Sequence, residues 1–139
     1  MTNMLIRSIV PALAALLVVG VVSHSRSAEK GTPQLAHSVF FTLKDQSEAA
    51  REKFIASCQK YLTDHEGTVS FSIGTMAQDV EEPGVSVRDF DVALLVVFEN
   101  KAAKAKYLVH PRHMKFVEEN KADFAKVRVF DSYVTPGKS

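Results

Sequence analysis

Two segments of this chain place their inward-facing apolar residues at every second position, as half-buried β-strands do. The first runs from Leu35 to Leu43 and the second from Val69 to Met76. A third segment, Phe90 to Phe98, is apolar on both faces, which is typical of a central strand covered on both sides. A last segment, Val127 to Val134, completes a set of four predicted strands.

The segment between the first two strands carries apolar residues at helical spacing. Asp45 or Ser47 can cap this helix, which we expect to run to about His65 and to be followed by Gly67. The helix dipole would favour a charged imidazole at His65. The predicted buried stripe consists of Ala50, Phe54, Cys58, Tyr61 and Leu62. Cys58 has no base or second thiol in register with it, so we interpret it as a small core residue.

A second helical region lies between the last two strands and is interrupted by Pro111. Asn100 caps its first part, Lys101 to Leu108, and its second part continues toward Phe124. Proline cannot donate a backbone hydrogen bond, and it disfavours the helical conformation in the residue before it. The chain must therefore bend here, and we interpret His110 as serving the bend through a hydrogen bond to local backbone.

The resulting order β-α-β-β-α-β predicts a ferredoxin-like α+β fold, an antiparallel sheet with helices on one face. The other face of the sheet would carry apolar side chains, namely Phe40, Ala93, Leu95, Val97 and Phe130. An exposed apolar patch of this kind marks an interface. We therefore expect a homodimer in which two sheets pack face to face into an α/β barrel.

The first residues have the pattern of a secretory signal peptide. Arg7 precedes an apolar run from Ile9 to Val22, which is shorter than the ~20 residues that a membrane span needs. The expected organisation is a cleaved signal peptide at 1–28, a linker at 29–34, the folded domain at 35–134 and a tail at 135–139. The protein would then be periplasmic or secreted. The alternative is an uncleaved N-terminal segment that anchors it to a membrane.

The charge balance argues against nucleic acid as a partner. The chain has 17 Lys and Arg against 16 Asp and Glu, and removing Arg7 and Arg26 with the leader leaves 15 against 16, with no basic stripe. Cys58 is the only cysteine, so no internal disulfide can form. A zinc pair of His110 and His113 would need a third ligand that no pattern supplies. We therefore expect neither a metal nor a cofactor.

The segment Tyr-Leu-Val-His-Pro-Arg-His at 107–113 offers the most distinctive chemistry of the chain. The bend can aim Tyr107 and His113 at a common point. A phenol and an imidazole that face one cavity can transfer a proton, because histidine titrates near ~6.5. The other interpretation is structural, with His113 bonding a backbone carbonyl across the bend, and a third is ligand binding without chemistry.

A cavity between sheet and helices is the expected place for this chemistry. His37 shares a face of the first strand with four large apolar residues, so it points inward. We expect His37, Tyr107 and His113 to converge on one small-ligand site whose walls include Val92 and Phe54.

Several of these segments together resemble the stress-responsive A/B barrel (Dabb) family, whose members are dimeric ferredoxin-like barrels. The features that carry the resemblance are His-Ser-Val-Phe-Phe-Thr-Leu-Lys from His37, Phe-Asp-Val-Ala-Leu-Leu-Val-Val-Phe-Glu from Phe90, Tyr-x-x-His-Pro-x-His from Tyr107, and Val-Phe-Asp-Ser-Tyr from Val129. The resemblance covers about residues 35 to 133. One family member with a known reaction is a plant polyketide cyclase, which closes a linear polyketide by aldol condensation without a cofactor.

The resemblance implies roles for individual residues. The catalytic tyrosine and histidine of that cyclase correspond to Tyr107 and His113, and a third pocket histidine corresponds to His37. A fourth pocket histidine is replaced here by Val92, and the export signal is a further departure, so the substrate need not be similar. The prediction is an exported Dabb domain that binds a small apolar molecule. The alternative is a cofactor-free lyase or cyclase that uses Tyr107 and His113 on a small carbonyl compound.

Overall fold

The computed structural model describes residues 33–135, which form a four-stranded antiparallel sheet packed against three helices. The strands are β1 (Gln34–Leu43), β2 (Thr68–Thr75), β3 (Val92–Phe98) and β4 (Phe124–Val134). The helices are α1 (Glu48–Leu62), α2 (Lys101–Val109) and α3 (Pro111–Asn120), and a 3₁₀ turn at Lys121–Asp123 follows α3. The predicted signal peptide, residues 1–28, and the end of the tail lie outside the described residues.

The strand order in the sheet is β2-β3-β1-β4, so β1 and β3 are the central strands. β1 pairs antiparallel with both neighbours, which sets His37 opposite Val96 on one side and opposite Asp131 on the other. This is the ferredoxin-like arrangement, and the predicted fold class is confirmed.

The core lies between the helices and the inner face of the sheet. The inward side chains of β3 are almost completely buried, and they are Val92, Leu94, Val96 and Phe98. At one end of this core four rings pack edge to face or tilted, with centroids 4.8–5.8 Å apart, and we call them the phenylalanine cluster: Phe41, Phe54, Phe116 and Phe124. Burial of each such side chain contributes roughly 1.5–3 kcal/mol, which makes this end a main source of stability.

The first helix begins where the sequence predicted and ends earlier. The Ser47 hydroxyl caps α1 by accepting the N–H of Ala50 at 3.2 Å. The expected end near His65 is wrong, because α1 stops at Leu62 and the chain turns back through a left-handed residue, Asp64 (φ 55°). Gly67 does not follow the helix directly. It lies in the turn before β2 with φ 78°, where a Cβ atom would come within 2.5 Å of the Ala103 side chain.

Three details of the strands also differ from the sequence prediction. A register shift between Thr68 and Ser70 leaves Val69 exposed, although it was predicted to share the inner face with Phe71. β3 begins at Val92 and not at Phe90. β4 begins at Phe124, three residues early, because that ring joins the phenylalanine cluster.

The outer face of the sheet carries the apolar residues that the sequence assigned to it: Phe40, Ala93, Leu95, Val97 and Phe130. Leu95 is 41% exposed and Phe130 is 54% exposed in the isolated chain. Part of the β2–β3 connection lies over this face, since Phe90 packs against Phe40 with ring centroids 5.0 Å apart. Within residues 33–135 no helix combines the length and the hydropathy that crossing a bilayer requires.

Candidate functional site

The break between α2 and α3 builds the candidate site. His110 is extended (ψ 138°), its N–H donates to the Tyr107 carbonyl, and its Nδ1 accepts the N–H of Arg112 at 3.1 Å. Pro111 is the first residue of α3, a position where the missing N–H costs nothing. The predicted role of His110 in the bend is confirmed. The two helices are thereby angled so that the rings of Tyr107 and His113 meet, with centroids 4.6 Å apart.

Tyr107 is the centre of a group of rings that we call the histidine cluster: His37, His65, Tyr107 and His113. Tyr107 is 2% exposed, and its ring centroid lies 6.3 Å from that of His37, 4.8 Å from His65 and 4.6 Å from His113. The structure thus brings together the three residues that were expected to converge. Phe98 closes the apolar side of the cluster, 5.0 Å from Tyr107.

His65 is a member of this cluster that the sequence interpretation missed. The chain turns back after α1, so the ring is only 7% exposed, and its Nε2 atom donates to the Tyr61 carbonyl at 2.9 Å. Burial lowers the pKa of His65, and the nearby Arg112 lowers it further. The predicted contact with the helix end is present, because Tyr61 lies in the last turn of α1, but burial disfavours the charged form of the ring. Its spacing from Cys58 and Tyr61 continues the buried stripe and could have indicated an inward position.

His37 is held by a carboxylate that the pairing of β1 with β4 brings opposite it. Its Nδ1 atom donates to Asp131 Oδ1 at 2.8 Å, and Asp131 Oδ2 accepts from Lys104 Nζ at 2.5 Å. This bond places the proton of the neutral ring on Nδ1 and leaves the Nε2 lone pair free to accept another. Burial alone would raise the pKa of Asp131, but the hydrogen bonds from Lys104 and His37 outweigh it and lower the pKa.

The electrostatics of the cluster favour neutral imidazoles and a protonated phenol. Burial lowers the pKa of His37, although the hydrogen bond to Asp131 partly offsets this. Burial also lowers the pKa of His113, against the opposing effect of the Leu108 carbonyl. Burial raises the pKa of Tyr107, and it raises the pKa of the Cys58 thiol to about 12. Cys58 therefore stays protonated, and a cysteine nucleophile is not part of this site.

One completely buried polar atom of the cluster is left without a partner. Nδ1 of His113 is buried and has no hydrogen-bond partner among residues 33–135. Buried polar atoms are normally paired, so an orphaned one calls for an explanation, and a bound ligand is one. Within the same residues no three His, Cys, Asp or Glu side chains are grouped so as to hold a metal ion.

Val92 and Phe54, which were expected to wall the same cavity, lie at the other end of the core. Val92 is opposite Phe41 in the sheet, four residues along β3 from Val96, the partner of His37, which is a separation of roughly 13 Å. Phe54 belongs to the phenylalanine cluster and lines a separate cleft of about 340 Å³. The structure does not bring these two residues to the histidine cluster.

Solved structures with the same fold come from bacteria and a plant. A Dabb family protein with a ferredoxin-like fold from Mesorhizobium loti is 28% identical, with a TM-score of 0.61 over 76% of this chain and 100% of that one. A dimeric ferredoxin-like protein of unknown function from Thermobifida fusca is 14% identical, with a TM-score of 0.60 over 75% and 93%. A hydroxynitrile lyase from Passiflora edulis is 20% identical, with a TM-score of 0.60 over 77% and 98%.

The sequence itself carries the family assignment. No curated protein matches the chain. The model of the Stress responsive A/B Barrel Domain matches residues 35–134, most of the chain and nearly all of the described fold. The protein therefore belongs to the Dabb family, as its four motifs predicted.

Proposed function

We propose that the protein is a homodimeric barrel that binds a small, largely apolar carbonyl compound at the histidine cluster. The observation that carries this proposal is the convergence of His37, Tyr107 and His113 on one buried point beside Phe98. A protonated phenol can donate to a carbonyl oxygen, a neutral imidazole offers one donor and one acceptor, and the surrounding rings suit an apolar body. A polar group of the ligand would also give the orphaned Nδ1 atom of His113 a hydrogen-bond partner.

Binding can be tested with acetophenone, a small apolar ketone, by following ring signals of the cluster in NMR spectra. Tyr107→Phe and His113→Ala should each weaken binding by roughly fivefold or more, since each removes one hydrogen bond. Tyr61→Phe is the matched control, because it removes a hydroxyl from a buried tyrosine outside the cluster. If both cluster variants lose much thermal stability while acetophenone affinity stays unchanged, the residues only hold the bend.

Proton transfer without a cofactor is the second candidate function, and the pairing of His37 with Asp131 favours it. A carboxylate that orients an imidazole prepares it to accept a proton on its other nitrogen. In this scheme His37 Nε2 takes a proton from the carbon beside the carbonyl group. The electron pair of the broken C–H bond forms a C=C bond, and the π pair of the carbonyl group moves onto its oxygen, which accepts a hydrogen bond from Tyr107. His113 provides a further hydrogen bond to the bound compound. The same fold carries a lyase in Passiflora edulis, the hydroxynitrile lyase, so an enzyme on this fold has a precedent.

This second function has a direct measurement. Exchange of the methyl protons of acetophenone for deuterium in D₂O reports proton removal without any downstream step. Wild-type protein should accelerate the exchange, and His37→Ala should abolish the acceleration. If the wild-type protein binds acetophenone but does not accelerate the exchange, the protein binds its ligand without catalysing proton removal.

The homodimer is supported by the open apolar face of the sheet and by the dimeric relative from Thermobifida fusca. Leu95 lies near the middle of that face. Leu95→Arg should release monomers or aggregates, because an unpaired charge buried in an interface costs several kcal/mol. Light scattering distinguishes dimers from monomers and from aggregates. A wild-type protein that stays monomeric at micromolar concentration would contradict the dimer.

Export is a further part of the proposal and rests on Arg7 and the apolar run from Ile9 to Val22. Mass spectrometry of protein from the native cell should find an N-terminus between about residues 24 and 34. Full-length protein in the cytosolic fraction would contradict export.

A further inference from the structure

The α2 helix borders a second cleft, separate from the histidine cluster. The cleft has a volume of about 300 Å³ and lies between α2 and the paired ends of β1 and β4. Its wall on the α2 side comes from one helix face, because Lys101, Lys104 and Leu108 are spaced by three and four residues. Leu35 and Tyr133, which face each other across the strand pair, form the opposite wall.

The charges around this cleft are unbalanced. Its lining contains two ammonium groups and one carboxylate, Asp131. Both oxygens of that carboxylate are engaged, one by His37 and the other by Lys104. Within residues 33–135 no carboxylate lies within 4.0 Å of the Lys101 ammonium group. The cleft therefore combines apolar walls with a positive charge that the protein does not neutralise at close range.

We propose that this cleft binds a small monocarboxylate with an apolar body. The carboxylate would lie at Lys101 and Lys104, and the apolar part would lie against Leu35, Leu108 and Tyr133. A volume of about 300 Å³ is at the small end of the range for ligand sites, roughly 300–1,000 Å³, which suits a medium-chain or single-ring acid. This site goes beyond the proposed carbonyl site, and neither depends on the other for occupancy.

The two sites are nevertheless coupled through Asp131. The groups that face His37 are Asp131 from β4, Lys104 and Tyr107 from α2, and His113 from α3. An anion beside Lys104 offsets the positive charge that disfavours a proton on His37. Occupancy of the cleft should therefore raise the pKa of His37, which gives a readout inside the protein for a ligand on its surface.

Octanoate and 1-octanol are matched probes, because they share a chain and differ in charge. Titrated into the ¹⁵N-labelled full-length protein, octanoate should shift the amide signals of Leu35, Ala105 and Tyr133 and should raise the pKa of His37 in a ring-proton titration. Octanol should bind more weakly and should leave the pKa of His37 unchanged. Lys101→Glu should weaken octanoate binding roughly tenfold, since it removes one exposed attraction and adds a repulsion of similar size.

Lys106→Glu is the matched control, because Lys106 lies on the same helix, outside the cleft, and its one ion pair within residues 33–135 is with the exposed Glu66. It should change octanoate affinity by no more than about twofold. Three results would overturn the proposal: equal affinity for octanoate and octanol, equal effects of the two lysine variants, or octanoate shifts confined to Phe40, Leu95 and Phe130 on the outer face of the sheet. Acetophenone binding tests the histidine cluster separately, so the failure of one site is distinguishable from the failure of the other.

Discussion

The two ends of the core use the same packing geometry for different purposes. Ring centroids are 4.8–5.8 Å apart in the phenylalanine cluster and 4.6–6.3 Å apart in the histidine cluster. At the first end the buried rings are wholly apolar, and the one buried amide nearby, Asn120, donates to Ser57 and to the Phe116 carbonyl. At the second end each ring in contact with Tyr107, apart from Phe98, carries polar nitrogens. One completely buried nitrogen, Nδ1 of His113, has no partner within the described residues.

This difference separates stability from chemistry within one small domain. Burying an apolar ring is favourable in itself, whereas burying an imidazole or a phenol is favourable only when its polar atoms are bonded. Residues of the second kind persist in a core at a cost in stability, which is typical of functional sites. The comparison predicts that variants of the phenylalanine cluster change stability and that variants of the histidine cluster change ligand binding and pH dependence.

The largest effect is expected at the phenylalanine cluster. Phe54→Ala should lower the free energy of unfolding by about 3–5 kcal/mol, because it removes a buried ring that contacts Phe41, Phe116 and Phe124 and leaves a cavity. Urea denaturation monitored by circular dichroism measures the loss. A loss below about 1 kcal/mol would mean that this end of the core repacks easily and would weaken the distinction between the two ends.

The second prediction is the dependence of stability on pH. Burial lowers the folded-state pKa of His37, His65 and His113 below the ordinary value of 6.5. The unfolded chain therefore binds more protons as the pH falls through 6.5, so stability is complete above that pH and declines below it. Unfolding curves between pH 7.5 and 5 check the sign. His65→Gln should flatten the curve, whereas Phe54→Leu should lower stability equally at each pH, and a stability maximum at acid pH would refute the neutral cluster.

Tyr107→Phe should affect binding far more than stability. It keeps the buried ring and removes only the hydroxyl, so the free energy of unfolding should change by no more than about 1.5 kcal/mol, the net contribution of one hydrogen bond. Acetophenone binding should weaken in the same variant. Thermal denaturation measures the change in stability, and NMR titration measures the change in acetophenone affinity. A large stability loss with unchanged binding would assign Tyr107 to the structural core.

The smallest expected effect on stability is that of Asp131→Asn. The Asp131 side chain is 39% exposed, so its loss should change the free energy of unfolding by less than about 1 kcal/mol. The same change should lower the pKa of His37 further, because the charged acceptor that favours a proton on the ring is gone. A ring-proton titration of His37 measures this shift. A rise in the pKa would show that Asp131 does not orient His37.

Most of the fold could be predicted from the sequence, and the errors fall at turns. Alternation in β1 placed His37 and Phe41 on the inner face, and Ser47 marked the start of α1. The β2 bulge at Val69 and the early end of α1 leave no periodic signal, because one extra or one missing residue is chosen by the packing of neighbouring segments.

The candidate site was predicted in part. Tyr107 and His113 flank a proline whose effect on the backbone is local, so their approach to one another was readable from seven consecutive residues. The sequence does not show how β1 and β3 pair, so Val92 and Phe54 were assigned to the wrong cavity. The pairing of the two strands places Val92 beside Phe41 at the far end of the core.

The sequence by itself determined the elements, the inward face of each and the bend at Pro111, because periodicity and proline geometry act over a few neighbouring residues. Only the tertiary structure decided that Asp131 lies opposite His37, that Lys104 joins the same carboxylate and that His65 is buried against Tyr107. These contacts join residues from about 30 to 90 positions apart. They depend on strand register and on the turn after α1, which the whole chain selects by burying its apolar surface.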